Sequence, residues 1–368
     1  MANEVTVEAT GLVYENPRPA AESVAVQHPS LVLLSEGEML VTFDIDHRYR
    51  TLDYRTVVSR STDGGRSWDL ERPLLRDPPP STTHSIRTSR LADGSLIGLG
   101  LVNRIEDPEA AVVSSETLGR IPGDMFLVRS SDDGRTWTGL EIIDTPLVGP
   151  SWEICHPVLE LSGGRLLAPT ATWRGLNGEN PSGDQSPVFI SEDGGRTWPD
   201  FGRSFDGRET GLTHWEQSVV ELRDGRLLAV AWVYRIESGR TYPSVYSISE
   251  DRGESFSEPA PTGFHAQTCK VIEMRDGRVL CVYRRHDLPG LWAGTARLPR
   301  DRWQNLAHVP LWQGAESGMT GEGKGGDEIK GLKFGYPSMK QLPSGEVFLV
   351  FWCEEEGAQH IRWMRLRA

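Results

Sequence analysis

The stretch SVVELRDGRLLAVAW, residues 218–232, decides how the rest of the chain is read. It is an apolar run, a turn closed by Gly225, and a second apolar run. Gly after Asp, Glu or Ser between alternating strands is a hairpin signal, because the turn needs a backbone angle that Gly adopts freely. The same design returns as SLVLLSEGEMLVTF (30–43), IRTSRLADGSLIGLG (86–100), PVLELSGGRLLAPT (157–170), CKVIEMRDGRVLCVY (269–283) and PSMKQLPSGEVFLVFW (337–352). The turn glycines Gly37, Gly94, Gly164, Gly225, Gly277 and Gly345 are spaced 52 to 70 residues apart. Each interval has room for four strands, so six units predict an all-β fold: a six-bladed β-propeller of four-stranded antiparallel blades. Residues 1–368 are expected to form this single domain.

Composition agrees with that expectation. The 368 residues are 38% hydrophobic, enough for a sizeable core, and 39 Gly with 24 Pro point to many turns rather than long helices. A net charge of −13 argues against nucleic acid or an anionic membrane as the main partner, since both repel a surplus of carboxylates. Cys155, Cys269, Cys281 and Cys353 form no CxxC pair and read as reduced thiols in strands. Residues 1–10 lack a basic segment followed by an apolar run, and no stretch approaches the roughly 20 apolar residues of a membrane helix. A soluble, cytoplasmic chain without a cofactor is expected; its oligomeric state is left open.

A second motif, Ser-x-Asp-x-Gly-x-x-aromatic, follows four of the turn glycines by 24 to 36 residues. Its copies are Ser61/Asp63/Gly65/Trp68, Ser130/Asp132/Gly134/Trp137, Ser191/Asp193/Gly195/Trp198 and Ser249/Asp251/Gly253/Phe256. The Ser and Asp side chains suit the turn amides, Gly takes the special backbone angle, and the aromatic packs into the blade. These aspartates are therefore read as structural. The segment around Arg300 to Trp303 is a degenerate counterpart in the fifth unit. At the ends, HIRWMRLRA can pair with VTVEATGLVY, so that N- and C-terminal strands close the ring within one blade and leave no free edge.

Both kinds of turn lie on one face of such a ring. The other face then holds the residues nine before each turn glycine: His28, Ser85, Cys155, Glu216, Thr268 and Tyr336. Seven to ten residues after the glycines come Asp44, Asp46, Asn103, Arg104, Trp173, Arg174, Trp232, Arg235, Arg284, Arg285, Trp352, Glu354 and Glu355. The long connections 103–124, 174–185 and 313–333 open onto this face too, and long loops in compact folds usually carry function. His28, His84, His156, His214 and His265 fall eight to twelve residues before a turn glycine. Metal binding, hydrogen bonding to sugar and plain structural roles are all open to them.

The fourfold motif is the Asp-box, and nearly the whole chain resembles the sialidase superfamily. WEQSVVELRDG is similar to the fourth-blade strand that supplies a sialidase's catalytic Glu, here Glu216; YPSMKQLPSG is similar to the segment of the nucleophilic Tyr, here Tyr336. The acid/base Asp of that family precedes the first Asp-box, where LDYRTVVSRSTDGG offers Asp53, with Asp46 and Asp44 as competitors. The chemistry links these types. A phenol with an ordinary pKa near 10 needs a neighbouring carboxylate to take its proton, and an Asp then protonates the leaving oxygen. A Tyr nucleophile suits an anionic sugar, whose carboxylate would repel the acidic nucleophile of other retaining glycosidases.

The resemblance breaks at the three arginines that hold a sialidase's substrate carboxylate. Gln27-His28-Pro29 stands in place of the first Arg-Ile-Pro motif, and Arg120-Ile121-Pro122 lies in a loop of another blade. Trp232 occupies the second position, with Arg235 three residues on; Arg284 or Arg285 matches the third. The supporting acid is displaced to Trp352, with Glu354 nearby. Candidate substrate-binding residues are therefore His28, Asp46, Arg48, Arg87, His156, Trp232, Arg235, Arg284 and Arg285. The expected function is an exo-acting glycoside hydrolase cleaving a terminal, sialic-acid-like or other sugar from a glycan. The alternatives are a polysaccharide lyase using Tyr336 and a His on a uronate, with or without a metal, and a non-catalytic glycan-binding propeller.

Overall fold

The computed structural model describes residues 5–17, 24–35, 37–46, 54–105, 112–114, 116–285, 287–315 and 331–368. β1 (Thr6–Tyr14) opens the chain but belongs to the last sheet. Blade one is β2 (Ala25–Ser35), β3 (Glu38–Asp46), β4 (Arg55–Ser61) and β5 (Asp69–Pro73). Blade two is β6 (Thr82–Arg90), β7 (Leu96–Arg104), β8 (Gly123–Ser130) and β9 (Glu141–Ile142). In blade three the inner strand breaks: β10 (Ser151–Glu153) and β11 (Leu159–Glu160) precede β12 (Leu166–Pro169), β13 (Ala171–Trp173), β14 (Gln185–Ser191) and β15 (Asp200–Asp206). There β10 pairs with β13 and β11 with β12. Blade four is β16 (Thr213–Glu221), β17 (Leu227–Arg235), β18 (Arg240–Ser249) and β19 (Ala260–Pro261). Blade five is β20 (Gln267–Glu273), β21 (Val279–Arg284), β22 (Leu291–Arg297) and β23 (Gln304–Trp312). Blade six is β24 (Phe334–Gln341), β25 (Val347–Glu355) and β26 (Ala358–Arg367), completed by β1, which runs antiparallel to β26 with Thr6 opposite Arg367. The predicted closure is present.

The core follows from the sequence pattern. Central strands such as β3 and β25 are apolar almost continuously rather than alternately, because each blade is covered on both faces by its neighbours. The buried side chains form an apolar cluster at each of the six blade–blade contacts, including Phe348 and Val350 of blade six against Val26 and Leu31 of blade one.

The Asp-boxes work as turn pins. Ser61 Oγ accepts the Gly65 N–H at 2.8 Å, Asp63 accepts the N–H groups of Arg66 and Ser67 at 2.9 and 3.0 Å, and the Trp68 indole donates to the Gly65 carbonyl. The boxes at Asp132, Asp193 and Asp251 repeat the scheme. The Thr136 hydroxyl and amide draw the Asp132 carboxyl down to about 2, so it stays ionised as an acceptor. The Gly64 N–H donates to the Gly37 carbonyl at 2.8 Å, which puts the Asp-box turn and the first hairpin turn of blade one side by side.

Candidate active site

Four of the six inner strands carry the same irregularity. β2, β16, β20 and β24 each hold one extra residue against their partners, between Gln27 and Ser30, Trp215 and Ser218, Gln267 and Lys270, and Gly335 and Ser338. The residues inside these bulges are His28, Glu216, Thr268 and Tyr336, with φ of 56°, 57°, 51° and 49°. A bulge bends its strand and re-aims a side chain. Left-handed backbone at a residue other than Gly costs of order 1–3 kcal/mol. All four stand nine residues before a turn glycine, so the strain recurs at one level of the channel. Ser85 sits in an unbroken ladder, and Cys155 lies in the gap between β10 and β11.

On one side these residues build a carboxylate-rich group around Tyr336. Its hydroxyl is 3.2 Å from Cys155 Sγ and within hydrogen-bonding reach of Glu216. Glu216 is buried and accepts the Thr268 N–H at 2.5 Å; its own N–H donates to Glu153 at 2.7 Å. Burial raises the Glu216 carboxyl, and the Arg284 guanidinium opposes that rise. Burial and the Glu216 charge push Glu153 up to about 7. Burial, together with the Cys155, Glu216 and Glu153 groups, drives the Tyr336 phenol well above its ordinary range, so it holds its proton at rest. Two cations balance the group. Lys270 Nζ donates to the Cys155 carbonyl at 2.6 Å, and fully buried Arg284 donates to Gln267 at 2.9 Å and to the Phe334 carbonyl at 2.7 Å. Gly335, at φ 151°, admits that arginine: a Cβ there would lie 2.6 Å from its guanidinium.

The other side is built on Asp44. This buried carboxylate faces His28 Nδ1 at 2.9 Å, Ser85 Oγ at 2.5 Å, Thr56 Oγ1 at 2.7 Å and Arg87 at 3.4 Å. Burial alone would raise it, but Arg87, His28 and Ser85 together hold it below the usual carboxylate range. Burial lowers His28 to about 4. With Asp44 ionised, the neutral ring carries its proton on Nδ1 and turns Nε2 outward as an acceptor. The His28 ring meets Tyr336 edge-on at 4.3 Å, and the Arg87 guanidinium lies 5.9 Å from the Tyr336 ring centre. Tyr54 accepts a hydrogen bond from Asn103 at 2.7 Å and feels the charges of Arg120, Asp44 and Arg87.

Arg120 arrives from the blade-two connection, which is strapped across blade three. The Arg120 N–H donates to the Arg174 carbonyl at 2.8 Å, the Trp173 indole donates to Leu118 at 2.7 Å, and Thr117 reaches the Leu176 carbonyl at 2.9 Å. Gly119 must lack a side chain, because a Cβ would fall 1.8 Å from the Gly175 carbonyl. The Arg120 guanidinium lies 5.6 Å from the Trp173 ring, which itself stacks on Trp215 at 4.7 Å. Its charge bears on both His28 and Tyr54, and no carboxylate among the described residues pairs with it.

The contacts join His28, Arg87, Glu216, Arg284 and Tyr336, five of the residues singled out from the sequence. Asp46 is buried at the end of β3. Trp232 is buried in an aromatic stack with Trp215 and Tyr234, its indole bonded to Thr241. His156 donates from Nδ1 to the Pro157 carbonyl at 2.7 Å, and burial lowers it to about 3. Arg285 pairs with Asp287 over the Trp292 ring. Arg235 is half-buried at the end of β17. Asp53 and Arg48 lie outside the described residues. Glu153, Lys270, Tyr54 and Arg120 were not singled out: only Arg120 carried a signal, its Arg-Ile-Pro triplet, attached to another blade. Among the described residues, the ligand-bearing side chains close enough to share an ion are Glu153, Cys155 and Glu216, within 4.8 Å of one another, and no histidine joins them. Lys270 already brings a positive charge to that cluster.

The model of the BNR repeat-like domain matches residues 110–349. A sialidase of Paraclostridium sordellii is 26% identical over 243 residues, 62% of this chain and 56% of that protein. A sialidase of Bacteroides fragilis is 26% identical over 271 residues, 64% of this chain and 44% of that protein. The chain thus spans about half the length of these curated relatives. Among solved structures, a protein of unknown function from Dyadobacter fermentans superposes with a TM-score of 0.76 at 19% identity, covering 100% of both chains. The intramolecular trans-sialidase of Ruminococcus gnavus gives 0.66 at 14% identity, covering 96% of each chain. At these identities the structural matches establish the fold.

Proposed function

Since the chain belongs to the BNR repeat-like family, within the sialidase-superfamily propellers, we propose that it is an exo-acting glycoside hydrolase cleaving a terminal acidic sugar from a glycan. The observation that carries this reading is the contact of Tyr336 with Glu216, delivered by matching bulges of blades six and four and held beside Arg284. Glu216 accepts the phenolic proton as Tyr336 Oη attacks the anomeric carbon. A phenol this far above neutrality cannot ionise beforehand, so proton transfer and attack go together. Water then displaces the phenol from the aryl glycoside so formed, and Glu216 returns its proton to Tyr336 Oη.

By its resemblance to the sialidases, the chain would take its general acid from the segment before the first Asp-box. Asp44 suits that part poorly, because four partners and a lowered pKa keep it ionised and fixed. Asp53 is the residue assigned to it, with Asp46 as the other choice. The acidity of the substrate is supported by three guanidiniums, Arg284 at the third sialidase position and Arg87 and Arg120, both from blade two, in place of the first two. Each charge-assisted contact to a carboxylate contributes about 1.5–3 kcal/mol.

Release of a fluorophore from an α-sialoside, and in parallel from glycosides of other acidic and neutral sugars, tests the proposal. Turnover by the wild type that Tyr336→Phe and Glu216→Gln each reduce by about 10²-fold or more supports it. A folded wild type silent on the whole panel, or turnover indifferent to both substitutions, contradicts it.

A further inference from the structure

With Glu216 as its acceptor the Tyr336 proton has one exit, yet a second buried carboxylate, Glu153, stands in the same cluster. Glu153, Cys155 and Glu216 are all buried, and their Oε and Sγ atoms lie within 4.8 Å of one another. Cys155 Sγ is 3.2 Å from Tyr336 Oη and within 4.8 Å of a Glu153 carboxylate oxygen. The thiol thus stands between the phenol, with which it can exchange a proton, and a carboxylate that can take one from it. We infer that Glu153 is a second proton acceptor for Tyr336, reached through the Cys155 thiol, so that the phenol has a relay exit beside its direct one to Glu216.

The step balances without any change of oxidation state. As Tyr336 Oη bonds to the anomeric carbon and the leaving oxygen departs, the phenolic proton passes to Sγ and the thiol proton passes to the Glu153 carboxylate. Hydrolysis of the intermediate returns both protons along the same line. The fold holds the line in place. Cys155 lies in the break between β10 and β11, where Lys270 of β20 fixes its carbonyl at 2.6 Å. The groups facing Glu153 are Cys155 from its own segment, Glu216 from β16 and Lys270 from β20; Tyr336 from β24 and Arg284 from β21 lie one step further. Two buried carboxylates this close cannot both ionise freely and share a proton near neutrality. Arg284 is the larger stabiliser of the Glu216 charge, so the shared proton rests on Glu153.

A purely structural Glu153 is the competing account, since its Oε2 also holds the Glu216 N–H at 2.7 Å. Glu153→Gln separates the two, because the amide oxygen still accepts that N–H but cannot take a proton. The inference rests on the proposed hydrolase activity. Wild-type kcat/KM is expected to rise as pH passes about 7, where Glu153 becomes free to accept. In Glu153→Gln that rise disappears, with a loss of about 10²-fold at alkaline pH and little loss at acid pH. Cys155→Ala reproduces the flattened profile, and Cys155→Ser, whose hydroxyl can relay, recovers most of the rise. A Glu153→Gln profile scaled down but of wild-type shape overturns the relay. If the wild type hydrolyses nothing, the functional reading fails, and the relay is then judged on the protein alone. Infrared difference spectra between wild type and Glu153→Gln must contain a protonated carboxyl band that fades through neutrality and shifts in Cys155→Ala; its absence overturns the inference.

Discussion

Arg120 and Glu153 are the residues whose roles depended most on the folded chain. Counting back nine from the turn glycines reached His28, Glu216, Thr268 and Tyr336, because a bulge at a constant distance from a hairpin is a local property of each repeat. Arg120 is set by a loop that leaves blade two and is pinned to blade three by backbone bonds and by an indole, a relation between segments some 55 residues apart. Glu153 falls eleven residues before Gly164, in the one inner strand that breaks, so the repeat loses its register there. If Arg120 helps hold an acidic sugar, Arg120→Met raises KM for that substrate at least tenfold, the size of one charge-assisted contact. Steady-state kinetics on paired acidic and neutral glycosides check this; equal effects on both would show that the loop, not the charge, was disturbed.

At the scale of the element, the bulge of β24 joins fold to site. Phe334 gives its carbonyl to Arg284, Gly335 leaves room for the guanidinium, and Tyr336 takes the left-handed angle that turns its ring into the channel. Three consecutive residues thus position a cation, a gap and the phenol proposed as nucleophile. Hairpins and Asp-boxes were legible from turn chemistry, and closure of the ring from the need to cover edges. The bulges were not, since a β-branched Thr268 or an aromatic Tyr336 at positive φ opposes its own local preference and is kept there by its neighbours. Gly335→Ala is expected to push Arg284 off the Phe334 carbonyl. Such overpacking costs about 1–3 kcal/mol, and kcat/KM should fall more steeply than the unfolding midpoint. Denaturant titration beside initial rates measures both; an unchanged kcat/KM would mean that Arg284 has no part in the reaction.

Across the whole molecule, burial of neutral histidines sets how the fold answers to acid. Desolvation lowers His28 to about 4, His84 to about 4, His156 to about 3 and His214 to about 4. An unfolded histidine titrates near 6.5, so between about 6.5 and 4 the unfolded chain binds protons that the folded chain refuses. The stability these groups contribute is present above pH 6.5 and is lost as pH falls through that window. Glu153, raised to about 7, and Glu216, raised as well, act in the opposite sense above about 4.5, but they are two groups against four. Urea midpoints should therefore drop from pH 7.5 to pH 5, and a flat response would mean that these rings are hydrated or protonated in the fold. The proposed function rests on the same ring, which brings residues of blades one to six together. The most direct test of that account is to trap the intermediate with a fluorinated acidic glycosyl donor and map the label by mass spectrometry. A covalent glycosyl group on the peptide carrying Tyr336, absent in Tyr336→Phe, is the predicted result; turnover with the label on another residue, or with no covalent intermediate, would contradict it.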